Sequence, residues 1–439
     1  RCRCTTLRLD AGDEMQGTLP SNLTYGRSTI EAFDRMGIQV AAIGNHDFDW
    51  SVDTLRARMR ESDYPWVAAN IFDSLTGQRP EWVTPWRMVR AGPYQVAVVG
   101  YITSETKEIV APQNVAGLRF GSGYESIRDV VEAARAGGPD FLVLLTHSGG
   151  RCDSLACAGE VFDLAQSLPP GAIDVIVSGH SHTLLDSERN GVPIVQARNN
   201  GTAIGVVDII RTAAGTRRID VDVQTVWDDQ VTPDSAISAL VARVVRATDS
   251  LSNQVITDIA LPMTRTGDQY PLGNLMADAF RNVLRADVAL VNNGGIRADV
   301  AAGPLTYGQL FTVMPFQNQA VRVTITGRQL REMAEASISA SGPDAHVSGL
   351  RVTYDTTRPP GQRVRDLRLA NGKKPRDGDR YTLAVNSFLS AGQSGYTMLR
   401  AAPQTSAGMS DIELMEIYLR RLPRPVRPPE DARFIPVGR

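Results

Sequence analysis

Short apolar runs at residues 6–9, 40–43, 96–102, 141–145 and 173–177 punctuate the first half of the chain. Between them apolar residues recur at helical spacing, as at Ile30, Phe33 and Met36 and again at Ile127, Val130, Val131 and Ala134. Runs of that length bounded by turn residues read as strands, and the longer periodic stretches as amphipathic helices. Strands alternating with helices bury their apolar faces only as a sheet layered with helices, so the fold class expected here is α/β. With 439 residues, at roughly 100 to 200 per domain, the chain makes two or three domains rather than a small stapled fold.

The pattern changes after the runs 204–210 and 219–226. Residues 233–254 read as one polar helix with Ile237, Leu240, Val241, Val244 and Val245 on a face. That helix divides the chain into an expected first domain at 1–232, a linker helix at 233–255 and a second domain at 256–439. The second half restarts with a helix over 273–284 (Leu275, Met276, Ala279, Phe280, Val283, Leu284), followed by a strand at 288–291 and a helix at 327–337. The rest reads as strands joined by turns such as Pro359-Pro360-Gly361, giving an α+β second domain. The proline-rich stretch 421–430, RLPRPVRPPE, is expected to lie extended on the surface.

Lys plus Arg (46) nearly balance Asp plus Glu (48), which gives no reason to expect a nucleic acid polymer or a membrane surface as main partner. No stretch nears the roughly 18 apolar residues of a membrane span. The chain opens RCRCTTLRLDAGD, without initiator Met or an apolar signal segment, so the expectation is that the true N-terminus is missing. Cys152 and Cys157 either close a small disulfide loop or stand as two thiols, and Cys2 and Cys4 read as incidental rather than as metal ligands.

Four of the five histidines, His46, His147, His180 and His182, stand just after apolar runs. Asp13 ends LDAGD, Asn45 and His46 sit in IGNHDFD, His147 ends FLVLLTH, and His180 and His182 end DVIVSGHSH. In open α/β sheets, functional groups at the carboxyl ends of strands converge on one cleft. A lone histidine there is ordinarily a hydrogen-bonded polar residue; four of them with Asp13 and Asn45 form a mixed N/O ligand set suited to Zn, Mn or Fe. Gly12, Gly44 and Gly179 each precede a ligand by one residue, as tight turns require.

At this point the sequence resembles the metallophosphoesterases of the 5'-nucleotidase type. The resemblance rests on LDAGDEMQGT, AIGNHDFDW, LLTHSGG and VSGHSHT, then on GNLMADAF, VNNGGIR, MPFQN and FLSAGQSGY, and so covers nearly the whole chain. It implies an N-terminal βαβα-sandwich domain bearing two divalent metal ions (Zn, Mn or similar) and a C-terminal substrate-binding domain. Asp13 would bridge the metals, with Asn45, His147 and His180 completing one site and His182 ligating the other. His46 and Asp49 match the catalytic dyad, which acts on the leaving oxygen. Asn292, Gly295 and Arg297 match positions that contact the nucleotide, Phe316 and Phe388 the aromatics that stack on the base, and Asn318 a residue near the base.

Two departures stand against this pattern. The family supplies further ligands from an Asp-x-His motif upstream of the bridging Asp, whereas only twelve residues precede Asp13 and none forms that motif. Either the chain is truncated, which is the expectation, or it holds one metal firmly and its first site is incomplete. Ser394 also occupies the place of an Asp that accepts from ribose hydroxyls. The implied function is metal-dependent hydrolysis of nucleoside 5'-monophosphates, with UDP-sugars or nucleoside polyphosphates as further substrates, by in-line attack of a metal-activated hydroxide in a periplasmic or secreted protein. A 2',3'-cyclic-nucleotide phosphodiesterase with 3'-nucleotidase activity, and a catalytically impaired nucleotide-binding module, stay open as alternatives.

Overall fold

The computed structural model describes residues 5–211 and 217–437, so Cys2 and Cys4 lie outside the described residues. The chain divides into two compact units. The first comprises the chain up to Gln16 together with Leu23–Val244; the second takes in Gly17–Asn22 and everything from Val245 onward.

Two sheets carry the first unit. The smaller is parallel, with Leu9–Asp10, Val40–Ala42 and Trp66–Val67 side by side. The larger has six strands in the order Leu184–Arg189, Val192–Ala197, Val175–Ser178, Phe141–His147, Tyr94–Ile102 and Trp86–Ala91, parallel at its centre and closed by an antiparallel hairpin at each edge. Successive side chains of a strand point to opposite faces, and here both faces are covered. Val40 and Ala42 join Val96, Val98, Val143 and Leu145 in the layer between the sheets, to which the hairpin Ala203–Arg211 and Arg217–Thr225 adds Val207, Ile209, Ile219 and Val221. Ala41 and Ile43 face outward onto Ile30 and Leu55 of the helices Arg27–Met36 and Val52–Glu61. Ala97, Val99, Leu142 and Leu144 pack on Val130, Val131 and Ala134 of Arg128–Ala136 and on Val161 and Leu164 of Glu160–Ser167. The result is an α/β/β/α sandwich, and double coverage is why its strands read as unbroken apolar runs.

The first strand is shorter than the run 6–9 suggests. It is an edge strand paired only with Val40–Ala42, and just Leu9–Asp10 join the ladder. The segment 233–254 is likewise two helices, Ser235–Arg246 and Asp249–Ser252, rather than one. Thr248 separates them: both its amide and its hydroxyl donate to the Val245 carbonyl at 2.9 Å, a local bond that competes with helix continuation. The division between the units falls within the first of these helices, after Val244.

The second unit is built on a five-stranded mixed sheet ordered Ala345–Ser348, Val288–Asn292, Arg380–Asn386, Gln319–Thr326 and Gln404–Ser410. Ala289, Val291, Ala320 and Ala384 face a core shared with the helices Pro271–Val283, Tyr307–Val313 and Asp411–Arg421. Val288, Leu290, Val321, Val323, Leu383 and Val385 face the other core, with Leu330 and Met333 of Gly327–Ala336. The stretch 421–430 is not wholly a surface strap. Val426 is buried, donates to the Asp258 carbonyl and accepts from the Ala260 amide. Beyond it Phe434–Pro436 pairs with Leu350–Tyr354, and Arg433 forms ion pairs with Asp278 (2.8 Å) and Asp431 (2.9 Å). Prolines without an N–H cannot sustain a continuous ladder, so the anchoring is concentrated at these points. Among the described residues no helix is long and apolar enough to cross a membrane.

Candidate functional site

The metal-ligating residues expected in the first unit all follow strand ends. Asp13 comes after Leu9–Asp10, Asn45 after Val40–Ala42, His147 closes Phe141–His147, and His180 and His182 follow Val175–Ser178. The turns that present them are tight. Asp13, His180 and His182 adopt φ of 63°, 73° and 57°, conformations uncommon for residues other than glycine. Gly44 has no room for a side chain, since a Cβ there would overlap the Asp13 carboxylate; one on Gly12 would reach 3.0 Å from His147 Nδ1.

Asp13, His147 and His180 form a group whose ligand atoms all lie within 4.8 Å of one another. His147 is buried, and its Nδ1 donates to the Ala11 carbonyl at 2.7 Å, which leaves Nε2 with its lone pair. Asp13 Oδ2 stands 2.9 Å from that Nε2, yet Nε2 makes no aligned hydrogen bond, and neither does the buried Oδ1 of Asn45. Two buried acceptors without donors beside a carboxylate are the arrangement a cation completes. The charge states of Asp13 and His180 favour the same reading. Burial would raise the pKa of Asp13, but His147 and His46 hold it well below the carboxylate range. Burial and the neighbouring His147 push His180 down to about 3, keeping it neutral. Burial disfavours a charged His147, while Asp13 and the Ala11 carbonyl hold its pKa above the ordinary value, so protons compete with a metal there. One carboxylate, two imidazoles and an amide oxygen suit Zn, Mn or Fe. His182 is exposed and stands outside this group.

His46 opens a 3-10 turn, His46–Phe48, and its Nδ1 lies 2.9 Å from Asp49 Oδ2. Its backbone amide donates to Asp13 Oδ1 at 2.8 Å, tying the dyad to the metal group. Sequence reasoning passed over Asp47. Fully buried, its carboxylate accepts from the amides of Gly44 (2.8 Å), Glu14 (3.1 Å) and Asp13 (3.2 Å), and so clamps the two turns together. Burial and Asp13 raise its pKa to about 7. Its presence within GNHD was visible; its acceptance of amides from a turn more than thirty residues upstream was not.

In the second unit Asn292 ends the strand Val288–Asn292, and the 3-10 turn Asn293–Gly295 leads to Arg297. Asn292 Oδ1 is buried without a hydrogen-bond partner, and a Cβ on Gly295 would come to 3.1 Å from it. The Arg297 guanidinium lies 5.7 Å from the centroid of the Phe316 ring, within cation–π range. Four expected ligand-contact residues therefore occupy one neighbourhood. Asn318 immediately precedes the strand Gln319–Thr326 and Phe388 lies in the short helix Ser387–Ser390 that follows the neighbouring strand, the two segments linked where the Gln319 amide donates to Ser387 Oγ at 3.1 Å. Phe388 is half-buried against the core beneath the sheet. Ser394 is exposed with φ 52°. The fifth histidine, His346, is wholly buried against Tyr270 and Gly273, and burial and Arg433 lower its pKa to about 3, a packing role.

The first unit is thus a two-layer sheet sandwich presenting Asp, Asn and His after its strand ends, and the second is an α+β domain. Residues 244–401 match the family model "5'-nucleotidase, C-terminal domain". The crystal structure of a 5'-nucleotidase precursor from Thermus thermophilus superposes with a TM-score of 0.89 at 28% identity, over 100% of this chain and 91% of that one. Snake venom 5'-nucleotidase of Crotalus adamanteus is 26% identical over 98% of this chain and 80% of its own length. Endonuclease YhcR of Bacillus subtilis is 30% identical over 98% of this chain, which spans only 36% of that longer protein. Over nearly its whole length the chain is therefore similar to 5'-nucleotidases, and residues 244–401 match their C-terminal domain.

Proposed function

We propose that this chain removes the 5'-phosphate from nucleoside monophosphates. The observation that carries the reading is the group Asp13, His147 and His180 with the orphaned acceptors of His147 and Asn45, a cation site at converging strand ends. Two divalent ions are proposed, held by Asp13, Asn45, His147 and His180 with His182 serving the second. Bound there, they would lower the pKa of a shared water and offset charge on the phosphoryl oxygens. The chain's own groups do the rest. Asp49 accepts from His46 Nδ1 and fixes the imidazole orientation, so that Nε2 can hold a proton toward the departing oxygen. Arg297 and Asn292 would bind the polar parts of the nucleotide, and Phe316 and Phe388 would stack on the base, which every base can satisfy with its π-face. UDP-sugars and nucleoside polyphosphates are further candidate substrates. Export to an oxidising compartment is part of the proposal, supported by the disulfide between Cys152 and Cys157.

A module that binds nucleotides without turnover is a second reading, favoured by the exposure of His182 outside the main group. Incubating the protein with AMP, 3'-AMP and 2',3'-cyclic AMP and quantifying nucleoside and phosphate separates the readings. Adenosine formed chiefly from AMP is the expected result. Turnover of only the cyclic and 3' esters would replace the proposal with the cyclic-nucleotide activity, and AMP binding without any product would leave the binding module.

A further inference from the structure

His180 and His182 both hold left-handed backbone, with Ser181 between them. Such conformations persist in non-glycine residues only where the surroundings over-determine them. The surroundings here include a largely buried polar network centred on Gln196 and Ser181. Gln196, on the strand Val192–Ala197, is 1% exposed and pairs in register with Ser178. Its Nε2 donates to Ser181 Oγ at 2.9 Å and to the Thr183 carbonyl at 3.0 Å. Its Oε1 lies 2.8 Å from the hydroxyl of Ser178, which in turn lies 2.7 Å from the carbonyl of Ser148, the residue after His147. Ser181 Oγ accepts from the Gly150 amide at 3.1 Å and faces the Gly150 carbonyl at 2.8 Å, and Thr183 Oγ1 donates to that same carbonyl at 2.6 Å. A Cβ on Gly149 would collide with Ser181, so the two turns meet without spare space.

We propose that Gln196 and Ser181 are positioning residues for the metal-binding histidines: through Ser178, Gly150 and Thr183 they lock the turn bearing His180 and His182 against the strand end bearing His147. The inference rests on the proposed metal role of those histidines. Groups that orient ligands from behind typically govern metal affinity by roughly 10- to 100-fold when removed. Ser181 contributes a single hydroxyl at the centre of the network, so Ser181→Ala removes its contacts to Gln196 and Gly150 with the loss of one atom; Gln196→Met removes both amide arms while keeping the volume.

Two measurements on the whole chain decide it. Mn²⁺ affinity by calorimetry should fall roughly 10- to 100-fold in each variant that folds. In the metal-free protein, imidazole NMR resonances of His180 and His182 should move or broaden while those of His346, a buried histidine in the other unit, stay in place. Mn²⁺ affinities within about twofold of the parent's, or unmoved His180 and His182 resonances in Ser181→Ala, would overturn the inference. If the parent chain itself binds no Mn²⁺ or Zn²⁺, the metal proposal fails and this inference falls with it; that outcome is read from the parent alone.

Discussion

Two attachments of His46 have different consequences. Its amide bond to Asp13 belongs to the backbone and survives substitution, whereas its Nδ1 contact with Asp49 is lost with the ring. His46→Ala should therefore lower turnover by roughly 10² to 10⁴, the usual scale for a positioned acid or base, while bound metal measured by atomic absorption is unchanged. Activity equal to the parent's would remove His46 from the chemistry. Phe388→Ala should weaken AMP binding by about 1 to 3 kcal/mol if a base stacks there, read by calorimetry; unchanged affinity would leave Phe388 as core packing alone. The strings containing Asp13, Asn45, His147 and His180 were legible because each follows an apolar run and strand ends converge. Asp47 and Gln196 were not, because their work is done by accepting or donating to backbone far away in sequence, which leaves no spacing to read.

At the scale of elements, helix termini give the clearest stability test. Thr326 and Gln329 form a reciprocal capping box at the start of Gly327–Ala336. Thr326→Ala should cost about 1 kcal/mol, measured by urea unfolding. The helix Asp411–Arg421 carries a different signal at its first residue. Asp411 is buried, and burial raises its pKa from 3.8 to about 7 against the hydrogen bonds from Ile412 and Asn318 that lower it. Between about pH 4 and 7 the native state then holds a proton the unfolded chain has released, so its contribution is full below pH 4 and lost as pH rises through 7. Asp411→Asn should gain stability relative to the parent as pH climbs across that window; a pH-independent difference in melting temperature would contradict the assignment. Elements with strong periodicity, such as Pro271–Val283 and Gly327–Ala336, were legible within a few residues. The break at Thr248 was not, because it depends on one hydroxyl choosing the Val245 carbonyl over solvent.

Over the whole molecule, a sheet layered with helices followed from alternation in the first half and a second domain from its loss in the other, whereas the two-sheet sandwich was implied only by the resemblance, since alternation does not say how strands divide between sheets. The anchoring of the proline-rich stretch at Val426 was hidden, since a single buried residue among prolines carries no period. A metal bound only by the native state at 100 times its Kd adds about 2.7 kcal/mol, so a chelator should lower the melting temperature by roughly 5 to 10 °C for a unit of this size; a midpoint indifferent to chelation would argue against a resident ion. The most direct measurement is phosphate release from AMP by chelator-treated protein as Mn²⁺ or Zn²⁺ is added back. Negligible release without metal and saturable recovery with it is the expected result, whereas release that persists undiminished in the chelator would contradict the assignment of Asp13, Asn45, His147 and His180 as the centre of a metal-dependent phosphoesterase.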